Sequence, residues 1–216
     1  MEQSKIYDQL ATELMKKIDQ LEDNSQYWIG LAGVPGSGKS TIAAELKHRL
    51  ESLLTIIPMD GYHYYRHELD QMDDPKLAHA RRGAPFTFNA KRFVADLTEA
   101  KKLGTGTFPD FDHNVGDPIE GAITLTTKTP QIVLVEGNYL LLDDSPWCLL
   151  KEQVFDETWL LYVPHAESHR RVYQRHLTTG LTENQARFRV EQNDSPNAEL
   201  ITTASTKNAN RIIKID

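Results

Sequence analysis

The sequence predicts an α/β fold in three layers, with a parallel five-stranded sheet between two layers of helices. Short apolar segments alternate along the chain with amphipathic segments of helical length, and this alternation is typical of right-handed βαβ units. A second observation is the glycine-rich turn at residues 33–38, which follows one apolar segment and precedes a helix. We expect ligands to bind beyond the carboxyl ends of the strands, where such sheets form their crevices.

Five short apolar segments are predicted to be the strands, and the third of them is the most buried. They are residues 28–32, 53–58, 132–135, 159–163 and 211–215. Helices are predicted where apolar residues recur every three or four positions. They are residues 4–22, residues 39–50 and a later helix with Phe93, Val94, Leu97 and Leu103 on one side. Residues 60–88 are expected to be irregular, and residues 104–121 to be a loop that carries function.

Composition argues against several classes of protein. The formal net charge of −7 disfavours nucleic acid as a main partner. Cys148 is the single cysteine, so an intrachain disulfide is excluded and a reducing compartment fits best. No apolar run approaches the length of a membrane span, and the N-terminus does not look like a signal peptide. We therefore expect a cytoplasmic protein with one domain over residues 1–216 and no membrane partner.

Residues 33–40 match the phosphate-binding motif G-x-x-x-x-G-K-[ST] in full, between a strand and a helix as the motif requires. Glycines allow consecutive backbone N–H groups to point inward around an anion. Lys39 is expected to contact the β- and γ-phosphates of ATP, and the Ser40 hydroxyl to bind Mg²⁺. A glycine turn with an unrelated lysine is the alternative, which the complete motif disfavours. The residues predicted to bind the nucleotide are Gly33, Gly36, Ser37, Gly38, Lys39, Ser40 and Thr41.

Carboxylates follow two of the predicted strands. Glu136 comes directly after the strand 132–135 and is predicted to hold Mg²⁺, directly or through a water molecule. Asp60 follows the strand 53–58 and is predicted to be the general base that accepts the proton of an attacking hydroxyl. The alternatives are a strand-end acid that faces solvent at Glu136 and a turn-forming Asp-Gly pair at Asp60.

Residues 164–192 are rich in arginine and contain no lysine. Guanidinium groups suit the spread charge of a phosphoryl group, so we predict a helical lid that closes over the phosphates. Arg171 and Arg175 are four residues apart and would share one helical face, as catalytic contacts to the phosphates. A solvated charged helix is the alternative. The segment 193–198 is expected to end one helix and begin the next, with Asp194 or Ser195 as the cap.

Three segments, in this order, resemble the family of uridine kinases, phosphoribulokinases and bacterial pantothenate kinases. They are the motif at residues 33–40, the Met-Asp-Gly-Tyr step at 59–62 and the Val-Glu-Gly strand end at 135–137. The resemblance covers about residues 28–215 and is greatest to a branch with members labelled fructose-transport or sugar kinases. It implies a P-loop NTPase fold and transfer of the γ-phosphoryl group of ATP, with Mg²⁺, to a hydroxyl of a small metabolite. It also implies that Asp60 is the catalytic base.

The same resemblance implies an acceptor-binding region at about residues 60–121. Residues 81–89 are similar to a segment of pantothenate kinases, whereas uridine kinases have a ribose-binding Asp where this chain has Gly83. A sugar-like, pantothenate-like or hydroxy-acid acceptor is therefore expected, with uridine a poor substrate. The residues implied in acceptor binding are Asp60, Tyr62, Arg82, Phe111, Asp112 and His113.

Other functions stay open at this point. They are a uridine or cytidine kinase, a P-loop ATPase that acts as a regulatory switch, and an inactive nucleotide-binding module. The predicted base, acceptor loop and arginine lid favour transfer to a hydroxyl. His63 and His67 are four residues apart, but no further ligand has the spacing of a zinc site. A homodimer also stays open.

Overall fold

A computed structural model describes residues 2–112, 114–126 and 130–215. Its regular elements in chain order are α1 (Glu2–Ile18), β1 (Gln26–Ala32), α2 (Lys39–Leu50), β2 (Leu54–Pro58), α3 (Arg66–Leu69), α4 (Pro75–Ala80), α5 (Ala90–Leu103), β3 (Gly106–Asp112), β4 (Asp117–Leu125), β5 (Gln131–Gly137), α6 (Cys148–Gln153), β6 (Glu157–Tyr162), α7 (His165–Thr178), α8 (Glu183–Arg189), α9 (Ser195–Asn208) and β7 (Arg211–Lys214).

The main sheet has five parallel strands in the order β2-β5-β1-β6-β7. Successive side chains of a strand point to opposite faces, so each face of β5 contributes to a different core. Val133 and Val135 pack with α5, α6 and α9 on one face. Ile132 and Leu134 pack with α1 and α2 on the other. This arrangement confirms the predicted three-layer fold and the parallel five-stranded sheet.

The ends of the five predicted strands differ from the observed ends by at most two residues, and α2 has the predicted bounds. Two helical predictions need correction. The first helix ends at Ile18, not at residue 22. In α5, Phe93, Val94 and Leu97 are buried, but Leu103 is 58% exposed. Leu103 is the last residue of that helix and precedes Gly104, whose left-handed backbone ends it, so the apolar side does not extend that far.

The prediction of a loop at residues 104–121 is wrong. These residues hold an antiparallel hairpin of β3 and β4. The pairing shifts register between Phe108 and Asp110, which places Pro109 at an irregularity where its missing N–H does not break a ladder. Glycine and proline are therefore compatible with these strands. Residues 60–88 are mostly irregular, but they contain the short helices α3 and α4.

The predicted break between two helices at residues 193–198 is also wrong. A π-helical turn, Val190–Asp194, continues from α8 into α9. Asp194 has helical backbone angles and does not cap α9 with its side chain. Its carboxylate instead contacts His176 Nε2 at 2.8 Å, and the Ser195 hydroxyl donates to the carbonyl of Val190 at 2.9 Å. The polar side chains thus have tertiary partners, and the chain continues as a helix.

The hairpin packs closely against the carboxyl edge of the main sheet at Gly61. After β2, residues Met59–Tyr62 form a 3-10 turn. A methyl group on Gly61 of this turn would lie 2.3 Å from the carbonyl oxygen of Pro109. Only a residue without Cβ allows β3 to lie this close, so Gly61 fixes the hairpin against the turn that carries Asp60. No helix in the described part of the chain is long and apolar enough to cross a membrane.

Gly61→Ala should separate the hairpin from this turn. The added methyl group meets backbone atoms, which cannot rotate away, and we expect a loss of about 1–3 kcal/mol, or roughly 2–10 °C in thermal midpoint. Gly121→Ala on the same hairpin measures backbone strain without a clash, because its methyl group would meet only a Thr107 side-chain carbon at 3.8 Å but φ is +70°. Differential scanning calorimetry compares the two, and an equal midpoint for Gly61→Ala and the wild type would contradict the close approach.

Candidate active site

The glycine-rich turn at residues 33–38 joins β1 to α2 and lies against α7. A methyl group on Gly36 would lie 2.9 Å from the carbonyl oxygen of Ser168 and 3.0 Å from Cγ2 of Val172, both on α7. The backbone of Gly36 also has a φ of +76°, which side chains rarely permit. The first turns of α7 are therefore in contact with the phosphate-binding turn, and arginines on α7 are brought next to it.

The ammonium group of Lys39 is buried and held by neutral oxygens. Lys39 Nζ donates to the carbonyls of Gly33 at 2.8 Å and Val34 at 3.2 Å, and to Asn138 Oδ1 at 2.8 Å. Burial lowers the pKa of Lys39, and the negative charges of Glu136 and Asp60 oppose that shift. Asn138 was not among the residues predicted from the sequence. Its position two residues beyond Glu136, at the same strand end, is the signal that could have identified it.

Glu136 lies at the end of β5, opposite Pro58 of β2 in the sheet. Its Oε1 accepts a hydrogen bond from the Ser40 hydroxyl at 2.9 Å, so the two residues predicted to bind Mg²⁺ are in contact. Burial raises the pKa of Glu136; Lys39 lowers it, while Asp60 and Asp110 raise it. The carboxylates of three separate segments therefore lie within electrostatic range of one another. Asp110 was also missed, because the sequence predicted a loop where β3 lies.

Two arginines on one face of α7 lie near the phosphate-binding turn. Arg171 donates from Nε to Glu167 Oε1 at 2.7 Å, and its Nη1 is 3.4 Å from the carbonyl oxygen of Gly36. Arg175 is exposed and makes no ion pair with any described residue, yet its charge contributes to lowering the pKa of Lys39. Arg175 and Lys39 are both positively charged, and an anion between them would offset their repulsion.

The residues present fit the triphosphate of a nucleotide. Ser37 Oγ is buried and has no hydrogen-bond partner among the described residues, which leaves a donor in the phosphate-binding turn itself. Lys39, Arg171 and Arg175 supply positive charge, and α2 begins at Lys39 with its N–H groups toward the same turn. Thr41 is exposed in the first turn of α2. No group of three or more His, Cys, Asp or Glu in the described ranges is arranged to hold a metal ion without further ligands.

Three of the residues predicted to bind the acceptor lie in the turn after β2 and in the hairpin. They are Asp60, Phe111 and Asp112. Asp60 is half-buried, its backbone carbonyl oxygen accepts from His63 N at 3.1 Å, and the charge of its carboxylate raises the pKa values of both Glu136 and Lys39. Asp112 Oδ1 accepts from the backbone N–H of Asn114 at 2.7 Å and so orders the hairpin turn. The ring of Phe111 lies 4.9 Å from that of His63. His113 lies outside the described residues.

Tyr62 and Arg82 each have partners within the fold, and their role in acceptor binding stays a prediction. Tyr62 is only 2% exposed, and its hydroxyl donates to Asp96 Oδ2 at 2.9 Å. Arg82 Nη2 donates to Asp117 Oδ1 at 2.9 Å and to the carbonyl of Tyr64 at 3.0 Å. Tyr62 is thus part of the core, and Arg82 joins the hairpin to the irregular segment before it. Neither contact is visible in the sequence, because each partner is distant along the chain.

Comparisons with known proteins agree on the type of enzyme. A "putative uridine kinase" of Schizosaccharomyces pombe is 40% identical over 207 residues, which are 90% of this chain and 85% of that protein. An "ATP-dependent kinase" of Kluyveromyces lactis is 30% identical over 213 residues, which are 79% of this chain but only 60% of that protein. The crystal structure of a "putative fructose transport system kinase" from Silicibacter sp. TM1040 superposes with a TM-score of 0.80 at 31% identity, covering 94% and 98% of the two chains. No protein-family model matches the chain.

The pKa of Glu136 predicts a conflict between stability and function. A folded-state pKa above the ordinary value means that ionising Glu136 costs stability as the pH rises through the carboxyl range. Glu136→Gln should therefore raise the thermal midpoint at neutral pH in the absence of nucleotide and metal. The gain should vanish as the pH falls toward the ordinary carboxyl pKa of about 4.3, where Glu136 is protonated.

Glu120→Gln is a control that should change the thermal midpoint at neutral pH in the opposite direction. The hydrogen bond from Arg92 lowers the pKa of Glu120, so its ionised form stabilises the fold at neutral pH, and this contribution is lost as the pH falls through the lowered pKa. The substitution should lower the neutral midpoint, and its effect should fade in acid. Thermal unfolding of both variants from acid to neutral pH checks the pair. A lower neutral midpoint for Glu136→Gln would show that the Glu136 carboxylate stabilises the fold.

Proposed function

The chain belongs to the family of P-loop kinases that includes the uridine kinases, and we propose that it transfers the γ-phosphoryl group of ATP to a hydroxyl of a small polar metabolite. The observation that carries this proposal is the convergence of opposite charges at one edge of the sheet. Lys39 and Arg175 lie on the side of the phosphate-binding turn, and Asp60 and Glu136 are next to them at the ends of β2 and β5.

On the nucleotide side, the backbone of residues 33–38 and Lys39 would hold the β- and γ-phosphates. Arg171 and Arg175 would approach the γ-phosphate from α7, which is already in contact with the turn at Gly36. Ser40 and Glu136, which are hydrogen-bonded to each other, would hold Mg²⁺. Bound Mg²⁺ supplies positive charge that offsets the charge of the phosphate oxygens.

On the acceptor side, Asp60 is the general base. Its carboxylate accepts the proton of the acceptor hydroxyl, and the oxygen then forms a bond with the γ-phosphorus of ATP. The bond from that phosphorus to the β–γ bridging oxygen breaks, and ADP leaves with the electron pair. Lys39 and the arginines of α7 offset the charge on the transferred group and on ADP. The products are ADP and a phosphate monoester of the acceptor.

The acceptor would lie between the turn at Asp60 and the hairpin. Phe111 gives this side an apolar wall, and Asp112 and His113 stay predictions as residues that recognise hydroxyl groups. Gly83 offers no side chain for a ribose diol, which favours a sugar-like, pantothenate-like or hydroxy-acid acceptor over uridine. The 40% identity to a protein named for uridine makes a uridine or cytidine kinase the second candidate.

Asp60→Asn should separate chemistry from nucleotide binding. The amide keeps the size of the side chain but cannot accept the proton, so kcat should fall by roughly 10²- to 10⁴-fold while ATP affinity changes little. Release of ADP in the presence of sugars, pantothenate, hydroxy acids and nucleosides measures kcat, and titration calorimetry measures ATP binding.

Asp112→Asn is the matched control for that experiment. Its amide oxygen can still accept the N–H bonds of the hairpin turn, and we expect kcat to change by less than about tenfold. A large loss of kcat in Asp112→Asn, with an unchanged kcat in Asp60→Asn, would assign the base to Asp112. Uridine or cytidine as the best acceptor would favour the second candidate and leave the kinase reaction intact.

A further inference from the structure

Arg81 is held in place by two buried asparagines beyond the lid. Its Nε donates to Asn193 Oδ1 at 3.0 Å, and its Nη2 donates to Asn197 Oδ1 at 3.1 Å. Both asparagines are only 3% exposed, and Asn197 Nδ2 donates to Asn193 Oδ1 at 3.3 Å. Asn193 belongs to the π-helical turn, a feature that is frequent at functional sites. The position of the guanidinium is therefore fixed by groups that carry no charge.

A second arginine reaches the same place from α8. Arg189 Nη2 donates to the carbonyl oxygen of Arg82 at 3.2 Å, and Asn193 Nδ2 donates to the same oxygen, also at 3.2 Å. Asn193 thus accepts from Arg81 and shares the carbonyl oxygen of Arg82 with Arg189, so both arginine side chains reach the surroundings of this asparagine. One arginine comes from the acceptor-binding region, and the other comes from the lid.

Neither positive charge is neutralised within the described part of the chain. Arg81 and Arg189 make no ion pair with a carboxylate of any described residue. The nearby carboxylate of Asp194 contacts His176 instead, at 2.8 Å. Converging half-buried cations are unfavourable without a counter-ion, and each guanidinium retains N–H donors beyond those used. The place is thus suited to an anion.

Tyr139 connects the segment that carries Arg81 to the reacting group. The Tyr139 hydroxyl donates to the carbonyl of Gly83, which is two residues beyond Arg81. Burial raises the pKa of Tyr139, and the charge of Arg81 lowers it while that of Asp60 raises it, so both groups lie near this hydroxyl. Tyr139 also follows Asn138, the partner of Lys39. Residues 138 and 139 therefore contact both the ammonium group of Lys39 and the segment that carries Arg81.

We propose that Arg81 and Arg189 bind an anionic group of the acceptor, so that the substrate is a hydroxylated carboxylate or phosphate and not a neutral polyol. The proposal deepens the kinase function above and rests on it. The acceptor hydroxyl lies at Asp60 and the anionic group at Arg81, with Asn193 and Asn197 as positioning residues.

The test compares acceptors in pairs that differ in one charged group. Glycerate with glycerol and gluconate with glucose test a carboxylate, and fructose 6-phosphate with fructose tests a phosphate. Binding is measured by titration calorimetry in the presence of Mg²⁺ and a non-hydrolysable ATP analogue, and transfer is measured by ADP release with ATP. We expect the anionic member of at least one pair to bind about tenfold or more tightly than its neutral partner, as hydrogen bonds to a charged group allow.

Arg81→Gln and Arg189→Gln should each remove most of that preference. Affinity for the anionic member should fall by about 10- to 100-fold, with little change for the neutral member and for the ATP analogue. Arg170→Gln is the control, because Arg170 is an arginine of α7 whose charge is already paired with Glu167. It should keep the preference. If Arg81→Gln does not fold, Arg189→Gln carries the test, since its side chain contacts a single carbonyl.

Equal binding of anionic and neutral partners by the wild type would overturn the proposal, as would failure of every anionic probe to bind. Equal losses of affinity for both members of a pair would show that Arg81 has only a structural role, and would overturn the proposal as well. Failure of the kinase function has a different signature. Anionic members would then bind with the expected preference, and no phosphate would be transferred to them.

Discussion

The burial of one ammonium group constrains the arrangement of the whole site. Lys39 lies between the phosphate-binding turn and the end of β5, where carbonyl oxygens and Asn138 satisfy its N–H donors but do not neutralise its charge. Nearby negative charge reduces the free-energy cost of burying this cation, although ionised Glu136 itself costs stability. The parallel sheet supplies that charge, because the carboxyl ends of β2 and β5 bring Asp60 and Glu136 to the same edge. Chemistry and stability therefore depend on the same charges.

Positive side chains are grouped near the phosphate-binding turn although the chain is acidic overall, with a net charge of −7. Lys39 and Arg175 make the nucleotide side positive, and the carboxylates of Asp60 and Glu136 make the centre negative. Arg81 and Arg189 add a second group of positive charges in the segments 60–121 and 164–192. A triphosphate, a metal ion with a general base, and an anionic acceptor group would match these three groups of charges. The surplus of acids elsewhere sharpens this local pattern, since cations are concentrated where anions bind.

Local signals made much of the fold and the nucleotide site predictable. The phosphate-binding motif fixes its own conformation within eight residues, and Asp60 and Glu136 follow from the rule that ligands bind at strand ends. Long-range packing was not predictable. Pro109 and its neighbours indicate a loop, yet they form a hairpin because Gly61 lets β3 pack on the turn after β2. Tyr62 and Arg82 are held by partners that only the folded chain brings near, and the contact of Arg81 with Asn193 spans 112 positions.

The most direct test of the account is the destination of the γ-phosphate. The protein would be incubated with γ-labelled ATP and Mg²⁺, with and without a deproteinised extract of small metabolites, and the labelled products would be separated. If the site is a phosphotransferase, label appears in an organic phosphate monoester only when the extract is present. If label is released as inorganic phosphate at the same rate with and without extract, the site hydrolyses ATP and transfers nothing, and the assignment of Asp60 as the base for an acceptor hydroxyl is wrong.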